Sequence, residues 1–242
     1  MELPFDLIST LLAFGTGVSG ALLQGSVGFG LGLVGVPLLA LIDPVFVPGP
    51  LLLGAFFLNL LIFRREQTAI HFKDVAWAVP GRVLGAVLGA VMLILVPKEH
   101  LTMLFGAMVL LAVGIIFTGF DFAAIPRNIL VAGTLSGFMG TTSAIGGAPM
   151  ALVFQKQNGP RIRGTLSVIF AIGTVISMTS LLIIGRFGLL EVQASLALFP
   201  GIALGFFLSR YTAKILDRGF IRVTVLITAA LCGILVIFDS LF

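Results

Sequence analysis

Two glycine-rich stretches carry the side chains best suited to binding chemistry. The first, from 20 to 37, reads GALLQGSVGFGLGLVGVP, and the second, from 137 to 149, reads GFMGTTSAIGGAP. Both lie in long apolar surroundings, yet both contain short uncharged polar side chains. Glycine costs about 1 kcal/mol relative to alanine inside a helix, so each stretch predicts two short helices around a non-helical joint. The N–H groups at the start of such a half-helix favour an anion.

We expect the two joints to meet inside the membrane and to form one substrate site. Its candidate residues offer backbone N–H, hydroxyl and amide donors, and they are Gln24, Ser26, Gly28, Gly30, Asn59, Thr141, Thr142, Ser143, Gly146 and Gly147. The candidate helix-breaking residues are Pro37 and Pro149. Tight packing of small residues is the alternative explanation of both stretches. Arg82 could also reach an anion, but we expect it to snorkel to the cytoplasmic surface, which is the commoner arrangement for such a side chain.

The groups that catalysis would need are not placed together in this sequence. No carboxylate or histidine lies deep in a predicted membrane span, and the chain has no P-loop, HExxH or CxxC motif and a single cysteine, Cys232. Proton relays and metal or active sites usually depend on such groups. We therefore expect no enzyme activity, no bound metal and no cofactor.

The composition is that of an integral membrane protein. Of the 242 residues, 59% are hydrophobic and 10% are charged, whereas a soluble domain carries about 25% charged residues. Apolar segments suited to crossing or entering a bilayer lie at about 7–42, 45–63, 75–96, 101–120, 128–155, 164–185, 193–213 and 219–238. We predict an all-α polytopic membrane protein that forms a single transmembrane domain over 1–242. The net charge of +4 then reflects basic cytoplasmic loops rather than nucleic-acid binding.

The second half of the chain repeats the first. A pattern of small and apolar residues recurs after 120 positions, where Pro80, Gly81, Leu84, Gly85 and Leu88 are matched by Pro200, Gly201, Leu204, Gly205 and Leu208. Repeat one covers about 1–121 and repeat two about 122–242. Each repeat is predicted to contain a glycine-rich broken helix pair, either a re-entrant hairpin or two short spans, followed by three transmembrane helices.

Equivalent loops of the two repeats differ in charge. The loop at 64–73 is basic, whereas its counterpart at 186–192 carries one arginine and one glutamate. Conversely, the loop at 43–49 carries one aspartate, whereas its counterpart at 156–163 carries three basic residues. Because basic loops face the cytoplasm, the repeats are predicted to have inverted topology, with both termini outside.

Two rows of small residues at helical spacing predict close helix packing. The first row is Gly81, Gly85 and Gly89, and its counterpart is Gly201, Gly205 and Ser209. Small residues four positions apart let two helix backbones approach closely. A homodimer through one row and packing within the chain are both compatible with this spacing.

The two glycine-rich stretches resemble the signatures of the sulfite exporter TauE/SafE family, also described as the toluene sulfonate uptake permease family. The first signature is matched by Gly20, Gly25, Gly28, Gly30, Gly32, Pro37 and Leu39. The second is matched by Gly137, Gly140, Gly146, Gly147, Pro149 and Leu152. In length, duplication and segment order, the resemblance covers the whole chain.

This resemblance implies transport of small sulfur-containing anions, such as sulfite, sulfonates or sulfoacetate, across the bacterial cytoplasmic membrane, usually as export. We therefore expect a secondary transporter that works by alternating access, with the lipid bilayer and a small inorganic or organosulfur anion as its partners. A passive small-anion channel is one alternative. A non-transporting membrane subunit that docks a partner through its glycine rows is another.

Overall fold

The computed structural model describes residues 6–120, 122–216, 230, 233–235 and 237–238. Within them the chain is helical and contains no strand. The helices are α1 (Leu7–Val27), α2 (Leu31–Ile42), α3 (Gly49–Glu66), α4 (Phe72–Leu95), α5 (Leu101–Phe117), α6 (Pro126–Ser143), α7 (Gly147–Phe154), α8 (Gly159–Ile183) and α9 (Leu189–Leu216). Most of the predicted span at 219–238, including Cys232, lies outside the described residues.

Several of these helices are suited to a bilayer. In the described part, α1, α4, α8 and the Leu189–Ala213 portion of α9 are long and apolar enough to cross a membrane. The outer face of α4 exposes large apolar side chains, among them Trp77, Leu84 and Leu88. A contiguous apolar face of this kind is rare on a soluble monomer and is suited to contact with lipid. The all-α membrane class expected from composition is therefore confirmed.

Polar side chains mark where two of the long helices begin. The Asp6 carboxylate accepts the Ser9 N–H at 3.2 Å at the start of α1. Hydrogen bonding by Ser9, through its side chain first and its backbone N–H second, holds the pKa of Asp6 below its usual value. Asn158 accepts the Arg161 N–H at 3.0 Å at the start of α8. Each bond satisfies an N–H group that has no partner within its own helix.

The first broken pair is a hairpin in which α2 returns along α1. A Cβ atom added at Gly20 would lie 2.8 Å from the side chain of Leu31, the first residue of α2. The last turn of α2, at Leu41 and Ile42, shares a surface groove with the first turns of α1. From its start at Leu31, α2 runs back along α1 for about 18 Å, the length of its 12 residues. It therefore ends near the level at which α1 began.

The second pair has the same form. The Ser136 hydroxyl of α6 donates to the carbonyl oxygen of Gly146 at 2.5 Å, so α7 starts beside the middle of α6. The Gln155 amide, just after α7, donates to the Phe120 carbonyl at 3.0 Å. The end of α7 therefore lies beside the segment that precedes α6.

The first helix of each pair is longer than expected. Helices α1 and α6 contain 21 and 18 residues, although both include glycine-rich sequence that predicts short helices. Their glycines lie at close crossings with other helices, and the packing energy of those crossings outweighs the low helix propensity of glycine.

The proline assignments are wrong. Pro37 lies inside α2 and Pro149 in the first turn of α7, so neither residue forms the break. The breaks fall at 28–30 and 144–146, where Gly28, Gly30 and Ala144 have φ angles of 99°, 133° and 64°. Positive φ ends a right-handed helix, whereas a proline in the first turn removes an N–H that would be unpaired anyway.

The two glycine rows lie where α4 packs along α6 and where α9 packs along α1. A Cβ atom at Gly85 would overlap the Thr134 carbonyl oxygen of α6, and one at Gly205 would overlap the Val18 carbonyl oxygen of α1. Corresponding helices of the two halves therefore pack in corresponding ways, and each row is filled by a helix of the same chain.

Replacing Gly85 with alanine should destabilise the protein by about 1–3 kcal/mol, because the backbones of α4 and α6 must separate to admit a methyl group. Gly114→Ala in α5 is the matched control, because its Cβ would meet no atom of the described residues within 4 Å. We expect the control to be neutral or to stabilise by up to about 1 kcal/mol. Thermal unfolding of the purified proteins in detergent measures both effects, and equal midpoints for the two variants would contradict the close crossing.

Candidate functional site

The two helix breaks meet in the interior of the protein. A Cβ atom at Gly32, in the first turn of α2, would overlap the carbonyl oxygen of Ala144 in the second break. A Cβ atom at Gly147, the first residue of α7, would lie 2.9 Å from the Cβ of Phe29. The N-terminal turns of α2 and α7 therefore face each other, as expected for a site shared by both joints.

A small cavity lies between these turns. Its volume is about 40 Å³, which is enough to admit water. Both breaks line it, through Gly30 in the first and Gly146 in the second, and α3, α4 and α8 contribute Asn59, Arg82 and Phe170. The cavity therefore collects side chains from both halves of the chain.

Arg82 is the charged group of this cavity. Its side chain is only 2% exposed, and one terminal nitrogen, Nη1, donates to the Ser136 hydroxyl at 2.7 Å and to the Ser136 carbonyl at 3.0 Å. The Nε atom is buried without a partner, and the guanidinium carbon lies 5.8 Å from the centre of the Phe170 ring. No carboxylate in the described part of the chain forms an ion pair with Arg82.

The expectation that Arg82 snorkels to the membrane surface is therefore wrong. The preceding residue, Gly81, lies at the crossing of α4 with α6, and this crossing turns Arg82 into the protein. Gly140, Gly146 and Gly173 leave room for the guanidinium, since a Cβ atom at Gly173 would overlap it. Packing against α6 and α8, not the length of the side chain, decides where the charge lies.

Two neutral side chains from the first half complete the polar part of the lining. The Gln24 side-chain amide donates through Nε2 to Oδ1 of Asn59 at 3.0 Å, and its Oε1 atom accepts the Leu31 N–H at 3.1 Å. Gln24 thereby bridges the first break and fixes the start of α2. The Asn59 side chain is 1% exposed, and its Nδ2 atom has no partner, so it is a donor available to a ligand.

Two candidates from the first stretch do not line the cavity. The Ser26 hydroxyl donates to the Leu22 carbonyl oxygen at 2.7 Å and pairs with the Thr212 hydroxyl at 2.8 Å. Gly28 closes the end of α1 and packs against Arg163. Both residues lie where α1 meets α8 and α9, because α1 continues past the cavity before it ends.

The hydroxyl candidates of the second stretch are also absent from the lining. Thr142 and Ser143 donate to carbonyl oxygens of their own helix, including that of Met139. The Thr141 hydroxyl pairs with that of Ser177 at 2.8 Å. Hydroxyls on a continuous helix are commonly satisfied in this way, and α6 stays helical through all three positions.

The C-terminal end of α1 carries a separate cluster of charge. Arg65 donates to the Gly25 carbonyl oxygen, and Arg163 donates to that of Ser26 at 3.0 Å. The Glu66 carboxylate accepts from both arginines, at 3.1 Å and 2.9 Å. Two cations at a helix C-terminus satisfy its free carbonyl groups and interact favourably with the negative end of its dipole. These arginines are therefore already paired.

Five residues that the sequence singled out do line the cavity, namely Gln24, Gly30, Asn59, Gly146 and Gly147. Arg82, which we expected at the membrane surface, and Phe170, which the sequence did not single out, also line it. A signal for Arg82 was present in the sequence. It is a charged residue within an apolar segment, and such residues commonly face the interior of a membrane protein and mark its functional site.

Comparison with known proteins identifies the family. A family model described as Sulfite exporter TauE/SafE matches residues 12–236, which is nearly the whole chain. No curated protein and no solved structure matches this chain. The resemblance carried by the two glycine-rich stretches is thus confirmed, and the chain belongs to the sulfite exporter TauE/SafE family of membrane transporters.

Proposed function

We propose that this protein is a secondary transporter that exports small sulfur-containing anions, such as sulfite, sulfonates or sulfoacetate, across the bacterial cytoplasmic membrane. The observation that carries the proposal is the buried guanidinium of Arg82, which lines the cavity between the two breaks and forms no ion pair with a carboxylate of the described residues. The family supplies the chemical class of the substrate.

An anion is the natural partner of Arg82. Burying a charge without a counter-ion costs several kcal/mol, and a bound anion would offset this cost. The unpartnered Nε atom leaves a charge-assisted donor for an oxyanion. The amide of Asn59, also unpartnered, is a second donor at the same cavity.

The starts of α2 and α7 add backbone donors. The first N–H groups of a helix have no partner within it, and such groups bind oxyanions well. In α2 the Leu31 N–H is taken by Gln24, so the bound anion is held by the later N–H groups of that turn and by those of α7 at Gly147. Gly30 and Gly146 allow the backbone to approach the anion closely. The hydroxyls that bond elsewhere have no part in this site.

Alternating access would come from two inverted repeats that rock against each other, with both termini outside and the site held between the repeats. The matched pairings of α1 with α9 and of α4 with α6 support this proposal, as does the opposite charge of equivalent loops. The whole chain then works as one transmembrane domain. Docking of a partner or of a second copy through the glycine rows is disfavoured, because helices of the same chain fill them.

Arg82→Gln should lower the rate of sulfite transport at least about 30-fold, since losing a buried charged hydrogen-bond partner typically costs 2 kcal/mol or more. The exposed Arg127→Gln is the matched control and should transport normally. The assay is uptake of labelled sulfite into proteoliposomes that contain only the purified protein. Saturation with sulfite concentration separates a carrier from a passive channel, whose flux rises without saturation.

Arg82→Lys distinguishes loss of the anion site from a folding defect, because it keeps the charge but loses the planar fork of the guanidinium. It should retain part of the transport that Arg82→Gln loses. Unimpaired saturable transport by a folded Arg82→Gln protein would exclude the cavity as the substrate site.

Arg82→Met should leave the anion-free protein as stable as the wild type or up to about 4 kcal/mol more stable, because a buried charge without a counter-ion is replaced by a flexible apolar side chain. Sulfite at 100 times its dissociation constant should stabilise the wild type by about 2.7 kcal/mol and should not stabilise this variant. Thermal unfolding with and without sulfite tests both parts. A variant that loses stability yet keeps the sulfite effect would contradict the site.

A further inference from the structure

We infer that the cavity between the two breaks selects singly charged anions, namely hydrogensulfite and organic sulfonates, over dianions such as sulfate and fully deprotonated sulfite. The inference, which rests on the proposed function, adds the charge of the transported species.

The first reason is the number of charges in the cavity. Among the described residues that line it, Arg82 alone carries a charge, and the rest are apolar, glycine or neutral polar residues. Arg65 and Arg163 do not line it and are paired with Glu66. A monoanion beside Arg82 makes a neutral pair, whereas a dianion leaves one negative charge without compensation in a poorly solvated site.

The duplication did not supply a second cation. The position that corresponds to Arg82 after the 120-residue offset is Ile202, which is fully buried and apolar. The repeats thus share their glycine rows but not this charge, and the site carries one arginine.

The helix ends do not provide the second positive charge that a dianion would need. At the second break the C-terminal end of α6 stands only three residues before α7, and its Ala144 carbonyl oxygen lies against Gly32 in the first turn of α2. The negative end of α6 therefore offsets the positive ends of α2 and α7. At the first break the Leu31 N–H is already bonded to Gln24. The remaining N–H groups serve as donors to oxygen atoms rather than as a second full charge.

Two anions of matched size test this inference. Methanesulfonate and sulfate have the same number of non-hydrogen atoms and a similar tetrahedral shape, but methanesulfonate carries one charge and sulfate two. We expect the purified full-length protein in lipid nanodiscs to bind methanesulfonate at least about tenfold more tightly than sulfate in calorimetric titration, which corresponds to about 1.4 kcal/mol.

Sulfite provides a second readout because it takes up a proton near neutral pH. Its apparent affinity, measured as total sulfite, should rise from mildly alkaline to mildly acidic pH as hydrogensulfite forms. Methanesulfonate stays a monoanion over this range, so its affinity should stay constant and serve as the control for any effect of pH on the protein.

The outcomes separate the two proposals. Sulfate that binds as tightly as methanesulfonate, or total sulfite that binds more tightly at alkaline pH, would overturn the charge selection and leave Arg82 as an anion site. If neither sulfate nor methanesulfonate nor sulfite binds the folded wild type more tightly than the Arg82→Gln protein, the substrate site and the proposed function fail together. Arg82→Lys should keep the preference for methanesulfonate at a lower affinity, because it keeps the charge that the preference requires.

Discussion

The burial of the Arg82 guanidinium determines much of the architecture around the second helix break. The group needs space among three helices, and glycine at positions 140, 146 and 173 provides that space. It also needs an acceptor, which is Ser136. The Ser136 hydroxyl in turn donates to the Gly146 carbonyl oxygen at the start of α7. The charge, the middle of α6 and the start of the half-helix are thus joined by one chain of hydrogen bonds, through which an anion at Arg82 would also act on α7.

The first break meets the same physical requirement without a charge. Backbone groups freed at a break inside a membrane protein must be satisfied by other parts of the chain. Gln24 does this by bonding to the Leu31 N–H and to Asn59, just as Ser136 bonds across the second break. Gln24, Asn59 and Arg82 all belong to the first half of the chain, whereas the second half contributes its helix break and the Ser136 acceptor. Convergence of the two breaks brings these different groups to one cavity, so the site is asymmetric although the helix packing around it is repeated.

Sequence patterns predicted this architecture where local chemistry decides the outcome and failed where tertiary packing decides it. The helix breaks and the rows at Gly85 and Gly205 follow from the lack of a Cβ atom, which is visible in the sequence. The lengths of α1 and α6 depend on contacts with α9 and α4, which is not visible. Thr142 and Ser143 have the composition of a polar site, yet a continuous helix offers their hydroxyls carbonyl oxygens of its own. The position of Arg82 depends on the α4–α6 crossing, which reverses the usual preference of a long cationic side chain for the membrane surface.

A single cation in the site has a consequence for how export would be driven. On the proposal made above, the carrier with a bound monoanion is neutral at the cavity, whereas the empty carrier keeps the uncompensated charge of Arg82. The membrane potential, negative inside, then has little effect on the loaded step and acts mainly on the return of the empty site. Each elementary charge moved through 100 mV is worth about 2.3 kcal/mol, and inward return of a positive site is favoured by that amount. On this proposal, export of a monoanion would be driven by the membrane potential, without a coupling cation at the cavity.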